Sequence, residues 1–278
     1  MAKVAAVVLA AGQGTRMVSN LPKMLHQVAG LPMVLWAVRN AQSLGADEIV
    51  LVTGNGAQEV RQVVGDQVQY ALQAERLGTG HATLQARELL LGRADVVMVL
   101  YGDMPCLRGE TLRNLLDLHL QRRPAVTMLT AVSDDAMGFG RVVRDKAGRV
   151  REIVEEAVAT PQVLALKELN CGVYCFDGEW LWDRLPAVPA TLPKGEHYLT
   201  DMVALAVADG RPVEAITIED VEQVQGINTR VHLARSERIL RERINRDLMT
   251  SGVTMIDPAS VYVDATVQIG QDTILYPN

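Results

Sequence analysis

Cysteine is scarce in this chain: of 278 residues only Cys106, Cys171 and Cys175 are cysteines, and none forms a Cys-x-x-Cys unit. An odd count without metal-ligand spacing argues against a disulfide scaffold or zinc ribbon and fits a reducing, cytosolic setting. Cys171 and Cys175 share one face of an apparent strand and read as small buried hydrophobes. No apolar run approaches the ~20 residues of a membrane span, and the first apolar stretch lacks the charged lead of a signal peptide. The expectation is a soluble cytoplasmic protein with no membrane partner. Positive charge is not in excess either: 27 Lys and Arg against 33 Asp and Glu give −6. That balance argues against a nucleic-acid partner, so any cation needed for phosphate has to be local. The five histidines, His26, His81, His119, His197 and His232, show no metal or catalytic-triad spacing.

What is abundant is apolar sequence, 49% of residues, enough for a sizeable core. Strand-like runs recur at Val4–Leu9, Glu48–Thr53, Val68–Ala71, Asp95–Leu100, Ala125–Thr130, Leu169–Cys175 and Val213–Ile218. Helical patterns separate the early ones, near Met33–Ser43, Ala57–Val64, His81–Leu91 and Gly109–Arg122. The alternation predicts an α/β fold with a doubly wound, mainly parallel sheet. Ligands of such sheets sit at the carboxyl ends of strands. After Asn228 the pattern changes. Leu233, Leu240, Ile244 and Leu248 make a helical apolar stripe ending at Ser251-Gly252, and Val263, Ile269 and Leu275 then recur every six residues. Six is the period of a left-handed parallel β-helix. About two coils fit before Asn278, so a truncated repeat is expected there.

The densest chemistry lies in Leu9-Ala10-Ala11-Gly12-Gln13-Gly14-Thr15-Arg16-Met17, followed by Leu21-Pro22-Lys23. Small residues at a strand end leave backbone N–H groups free to face a ligand, and two glycines permit the tight turn that aims them. Arg16 and Lys23 add two cations, so the segment suits a polyanion such as a nucleotide triphosphate. A dinucleotide fingerprint needs a third glycine where Met17 stands. A P-loop needs Gly-Lys-Ser/Thr, whereas Lys23 lies between Pro22 and Met24.

Two further segments stand out. In Gln73-Ala74-Glu75-Arg76-Leu77-Gly78-Thr79-Gly80-His81-Ala82 the Gln73 amide offers a donor and an acceptor side by side, matching the imide edge of uracil. An N–H from this loop aimed at O4 would penalise cytosine. The same string also reads as a loop in which Thr79 caps a helix. In Val99-Leu100-Tyr101-Gly102-Asp103-Met104-Pro105 a carboxylate follows a buried strand, a place suited to a cation. Asp103 alone also reads as a turn cap, and Asn228, in Val224-Gln225-Gly226-Ile227-Asn228-Thr229, as a helix N-cap.

The segment LAAGQGTRM…LPK resembles the signature of sugar-nucleotide pyrophosphorylases. QAE-x-LGTGHA, together with the Gly138-Phe139-Gly140-Arg141, Ile153-Val154-Glu155, Asn170-Cys171-Gly172 and Glu196-His197-Tyr198-Leu199-Thr200-Asp201 segments, resembles the N-acetylglucosamine-1-phosphate uridylyltransferases. The resemblance covers essentially the whole chain. It implies a Rossmann-like fold of the nucleotide-diphospho-sugar transferase type and uridylyl transfer from UTP to N-acetylglucosamine 1-phosphate, for cell-wall precursor synthesis. Leu9, Ala10, Ala11, Gly12, Gln73, Gly78, Thr79, Tyr101 and Gly102 would hold the nucleotide, and Gly140, Glu155 and Asn170 the sugar. Asp103 and Asn228 would bind Mg²⁺, and Arg16 and Lys23 would be catalytic by stabilising the departing pyrophosphate. Residues 1–228 would form the transferase domain, 229–251 a linker helix and 252–278 the first coils of a β-helix. In bifunctional bacterial members that β-helix acetylates glucosamine 1-phosphate with acetyl-CoA and builds a homotrimer. Ending at Asn278, this chain is expected to lack that second activity and to have a weakened or lost trimer interface. It departs from the family pattern at Glu156–Thr160, Met104, Cys106 and Cys171. Two rivals are the same fold acting in thymidylyl transfer, which UTP-versus-dTTP turnover would separate, and a non-catalytic sugar-nucleotide sensor, which would be expected to lose Arg16, Lys23 or Asp103.

Overall fold

A computed structural model describes residues 2–191 and 195–277; Met1, residues 192–194 and Asn278, with the chain end expected there, lie outside them. The sheet is organised around β1 (Val4–Ala10), whose seven residues are all buried. A continuous apolar run suits this place, because helices cover a parallel sheet on both faces. Parallel partners flank β1: β2 (Glu48–Thr53) on one side and β4 (Val96–Tyr101) on the other. The other strands are β3 (Gln69–Leu72), β5 (Val126–Val132), β6 (Arg141–Arg144), β7 (Val150–Val154), β8 (Glu168–Asp177) and β9 (Val213–Ile218). The main path runs β9-β5-β8-β4-β1-β2-β3, with the β6–β7 hairpin attached to β8.

The core forms two layers. Val4, Ala6, Val8 and Ala10 face α1 (Met33–Ser43), α2 (Ala57–Val64) and α4 (Gly109–Arg122). Ala5, Val7 and Leu9 face α3 (Gly78–Leu84), α5 (Gly178–Arg184) and α6 (Asp201–Ala208). Strand alternation thus feeds both layers from a single strand.

The sheet is mainly parallel, as its sequence pattern predicts, but β8 runs antiparallel to both β4 and β5. Three expectations need correction. The helix expected over His81–Leu91 is α3 followed by a separate turn at Arg87–Leu90. Thr79 does not cap it: Thr79 lies inside α3, and its hydroxyl accepts from the Leu199 N–H at 3.0 Å. Arg141–Arg144 and Val150–Val154, absent from the strand-like runs of the sequence, pair as the hairpin.

Thr229 caps α7 (Arg230–Thr250), its Oγ1 accepting from the His232 N–H at 3.2 Å. Ile239 and Leu240 of α7 join Met17, Cys106 and Ile227 in one apolar cluster. The helix therefore packs beneath three segments that carry candidate site residues. Beyond it, Thr254–Met255 pairs in parallel with Ile274–Leu275, and Val263, Ile269 and Leu275 pack against Val253, Met255 and Val261.

Candidate active site

The site forms where β1 and β4 end side by side. The Gly102 N–H donates to the Leu9 carbonyl at 2.9 Å, locking the two strand ends together. Leu9 and Ala10 lie within β1, and Ala11 and Gly12 open the turn that follows it. Nothing lies within 4 Å of where a Gly12 Cβ would stand. Gly14 differs: its φ is +68°, and a Cβ there would meet the Lys23 Cβ at 2.5 Å. The glycine turn therefore lies directly against the Lys23 side chain. Arg16 is exposed on the following turn and enters no ion pair among the described residues.

Lys23 is 7% exposed, rare for a lysine without a partner. Its ammonium donates to Asp103 Oδ2 at 2.5 Å and to Asn228 Oδ1 at 2.9 Å. The Ile227 N–H donates to the Asp103 carbonyl at 2.9 Å, holding the Asn228 loop beside the β4 end. Three segments far apart in sequence thus converge on one cation between two oxygens.

A cavity opens from that pair onto the β6–β7 hairpin and β8, where it is lined by Tyr101, Gly140, Glu155, Asn170 and Gly172. β8 shifts register between Asn170 and Tyr174. Gly172 has φ +74°, and a Cβ there would meet the Tyr101 ring, so only glycine lets the ring come this close to the strand. The bend turns Asn170 toward the cavity. Its Oδ1 accepts from the Tyr174 hydroxyl at 2.8 Å and from the Gly172 N–H at 3.3 Å. The acceptor is occupied, and the amide N–H₂ is what Asn170 can offer a ligand. Glu155 Oε1 accepts from the Thr200 hydroxyl at 2.8 Å. Burial pushes the Glu155 carboxyl up from its ordinary value, the Thr200 bond opposes this, and nearby Asp201 and Glu196 add to it. Burial likewise raises Asp201. The Tyr198 phenol is pushed up to about 12, chiefly by its hydrogen bond with Glu196.

On the other side of the β1 turn a second cavity is lined by Gln73, Gln13, Asn55 and Arg76. Gln73 is buried, and its Nε2 lies 3.0 Å from the Gly78 carbonyl oxygen and 3.1 Å from His81 Nδ1. Its donor end is thus held inside the loop. The expectation of a side-by-side donor and acceptor gives way to an acceptor alone. Thr79 ties this loop to the segment that follows Tyr198, through its bond from the Leu199 N–H.

Sequence reasoning missed Tyr174, whose role as an orienting hydroxyl looks like ordinary core, and His81, eight residues from its partner Gln73. Period-two alternation in β8 does place Tyr174 on the same face as Asn170, the one signal that could have found it. Among the described residues no group of three or more His, Cys, Asp or Glu could hold a metal. The available donor set is the single carboxylate of Asp103 with the Asn228 amide oxygen.

Strand-end loops, a glycine turn beside buried and exposed cations, and a cavity at the carboxyl ends of a mostly parallel sheet make a Rossmann-like architecture with a candidate ligand site at its strand ends. A family model described as the MobA-like NTP transferase domain matches residues 6–170, and the chain belongs to this family. It is 48% identical over 281 aligned positions to a protein of Pelobacter propionicus named "Bifunctional protein GlmU", covering 100% of this chain and 61% of that one. Proteins of the same name from Pelotomaculum thermopropionicum and a Geobacillus species are 48% and 46% identical, over 98% and 100% of this chain and 60% of theirs. The chain thus spans about three-fifths of the length of these relatives.

Proposed function

We propose that the chain transfers a uridylyl group from UTP to N-acetylglucosamine 1-phosphate, releasing pyrophosphate. The observation that carries this reading is the Lys23–Asp103–Asn228 cluster opening directly onto the Glu155–Asn170 wall. A phosphate held at the cluster and a hexose held at the wall would be neighbours. Similarity to proteins named "Bifunctional protein GlmU" supports the same reading.

No side-chain nucleophile is needed. An oxygen of the sugar phosphate attacks the α-phosphorus of UTP in line, one P–O bond forms, and the bond to the β-phosphate breaks. Catalysis is then positioning plus neutralisation of charge. Arg16, exposed beside the glycine turn, meets the departing phosphates. Lys23 supplies a fixed cation at the junction of nucleotide and sugar. Glu155 accepts hydrogen bonds from sugar hydroxyls, and the Asn170 amide donates to a hydroxyl or to the N-acetyl carbonyl. The Gln73 oxygen accepts from N3–H of uracil, with a backbone N–H near Gly78 for a carbonyl of the base.

Asp103 and Asn228 fit Mg²⁺: they are hard oxygen donors, two in number, already sharing one cation in Lys23. When bound, Mg²⁺ neutralises phosphate charge. We assign transfer to residues 1–228, with 229–251 as a linker helix. The six-residue spacing and parallel pairing beyond it support a β-helix opening over 252–278. Among the described residues no helix is long and apolar enough to cross a membrane, and the proposed setting is the cytoplasm.

Incubation with UTP, N-acetylglucosamine 1-phosphate and Mg²⁺, followed by ³¹P NMR, tests the reading. The expected outcome is equimolar pyrophosphate and UDP-N-acetylglucosamine. Hydrolysis of UTP without a sugar diphosphate product would contradict it.

A further inference from the structure

Gln73 is 5% exposed, so its amide cannot exchange partners freely with water. A primary amide carries two N–H donors on nitrogen and an acceptor on oxygen. The Gly78 carbonyl, 3.0 Å from Gln73 Nε2, can only accept, and this fixes which end of the amide is nitrogen. The remaining N–H points to His81 Nδ1 at 3.1 Å. His81 must therefore accept there and carry its ring proton on Nε2.

The other ring nitrogen sharpens the assignment. Gln85 Nε2 lies 3.2 Å from His81 Nε2 and also donates to the His81 carbonyl at 3.0 Å. A neutral imidazole accepts at one nitrogen only, so both amides cannot donate to this ring. Gln85 keeps its bond to the His81 carbonyl and, being half-buried, can give its second N–H to water, whereas Gln73 is enclosed. The buried amide keeps the acceptor. Gln73 Oε1 then has no partner among the described residues and is not sealed from solvent, on a residue that lines the second cavity.

We propose that His81 is a positioning residue for base selection: by accepting from Gln73 at Nδ1 it leaves Gln73 only an oxygen to present to the nucleobase. This rests on the uridylyl-transfer reading above and deepens it. N3 of uracil carries a hydrogen and donates to that oxygen. N3 of cytosine is an acceptor and meets it with lone pair against lone pair. With no acceptor at position 81, one buried N–H of Gln73 loses its partner. The Gly78 carbonyl is then the amide's one remaining anchor, so the amide is held less firmly against turning its nitrogen outward, where cytosine N3 can receive it.

The test compares wild type, His81→Leu and His81→Asn, whose amide oxygen can stand near the place of Nδ1. The kcat/KM ratio for UTP over CTP is measured, together with calorimetric affinities for UDP and CDP, which involve no chemistry. The ratio is expected to fall about tenfold or more in His81→Leu and to recover largely in His81→Asn, with the same trend in the UDP and CDP affinities. In parallel, ¹⁵N NMR of wild type should show His81 Nδ1 without a proton. Equal losses for both nucleotides in His81→Leu would overturn the proposal, as would a proton on Nδ1. A wild type with no preference for UTP over CTP would overturn the underlying reading as well. That failure is distinguishable because it appears before any substitution.

Discussion

The two sides of the cleft present carboxamides of opposite polarity. On the proposed base side, Gln73 has its nitrogen held by Gly78 and His81 and offers an oxygen. On the proposed sugar side, Asn170 has its oxygen held by Tyr174 and Gly172 and offers its nitrogen. The same functional group thus becomes an acceptor or a donor according to what the fold binds behind it. The supports differ as well. The proposed phosphate end is tied by backbone bonds between adjacent strand ends and loops, Gly102 to Leu9 and Ile227 to Asp103. The proposed sugar wall relies on an irregular antiparallel strand and on side-chain bonds, Tyr174 to Asn170 and Thr200 to Glu155. Substitutions at the phosphate end should therefore cost rate, and those at the wall should cost sugar affinity.

The largest expected effect is at Asp103. Asp103→Asn keeps an oxygen for Lys23 but removes the carboxylate, and kcat should fall on the order of 10³ with little change in Tm. Asp103→Ala instead strands a buried ammonium and should also lose about 3 kcal/mol in a denaturant titration. A kcat within tenfold of wild type for Asp103→Asn would remove the carboxylate from the account. Next come Arg16→Ala and Lys23→Ala, each expected to lose about 10²–10³ in kcat. Lys23→Arg should recover little, because a planar fork does not fit the compact seat between Asp103 and Asn228.

The wall gives the third effect. Asn170→Asp exchanges a donor for an acceptor and should raise KM for the sugar phosphate by about 10–100-fold while KM for UTP holds. Tyr174→Phe, which frees the amide to turn, should produce a smaller shift in the same direction. A loss in kcat alone would erase the contrast between the two sides.

The smallest effect lies away from both. His119 is buried with Nδ1 2.8 Å from the Thr127 hydroxyl, and burial lowers its pKa from 6.5 to about 4. The folded state favours the neutral ring, so this contribution to stability is full above 6.5 and is lost as pH falls toward about 4. Between pH 7 and 6 the loss should stay under about 1 kcal/mol. A Tm unchanged from pH 6.5 to 4.5, with His119→Gln behaving identically, would show that the ring is not held neutral.

The two sides also differ in how much of them can be read in the sequence. β1, β2 and β4 are continuous apolar runs, and the glycine turn and Asp103 follow two of them, so the phosphate end is legible from residue order alone. The hairpin of the wall is half-exposed, with Arg141–Arg144 and Val150–Val154 mixing buried and open positions. Such strands carry no continuous run, and glycines and charges at their ends resemble turns. The antiparallel sense of β8 depends on its partners rather than on its letters. Helices α5 and α6, of seven and eight residues, are too short for a helical period to stand out. The amide orientations were out of reach because they depend on Gly78, His81, Gly172 and Tyr174, which fold back onto Gln73 and Asn170.

The most direct measurement is a two-by-two panel of kcat/KM values, UTP or CTP against N-acetylglucosamine 1-phosphate or glucose 1-phosphate, read by pyrophosphate release. The account predicts the highest value for UTP with the acetylated sugar. It also predicts that the UTP preference is about the same with either sugar, because separate amides on separate supports read base and sugar. Equal use of CTP and UTP, or a base preference that disappears when the sugar is changed, would contradict it.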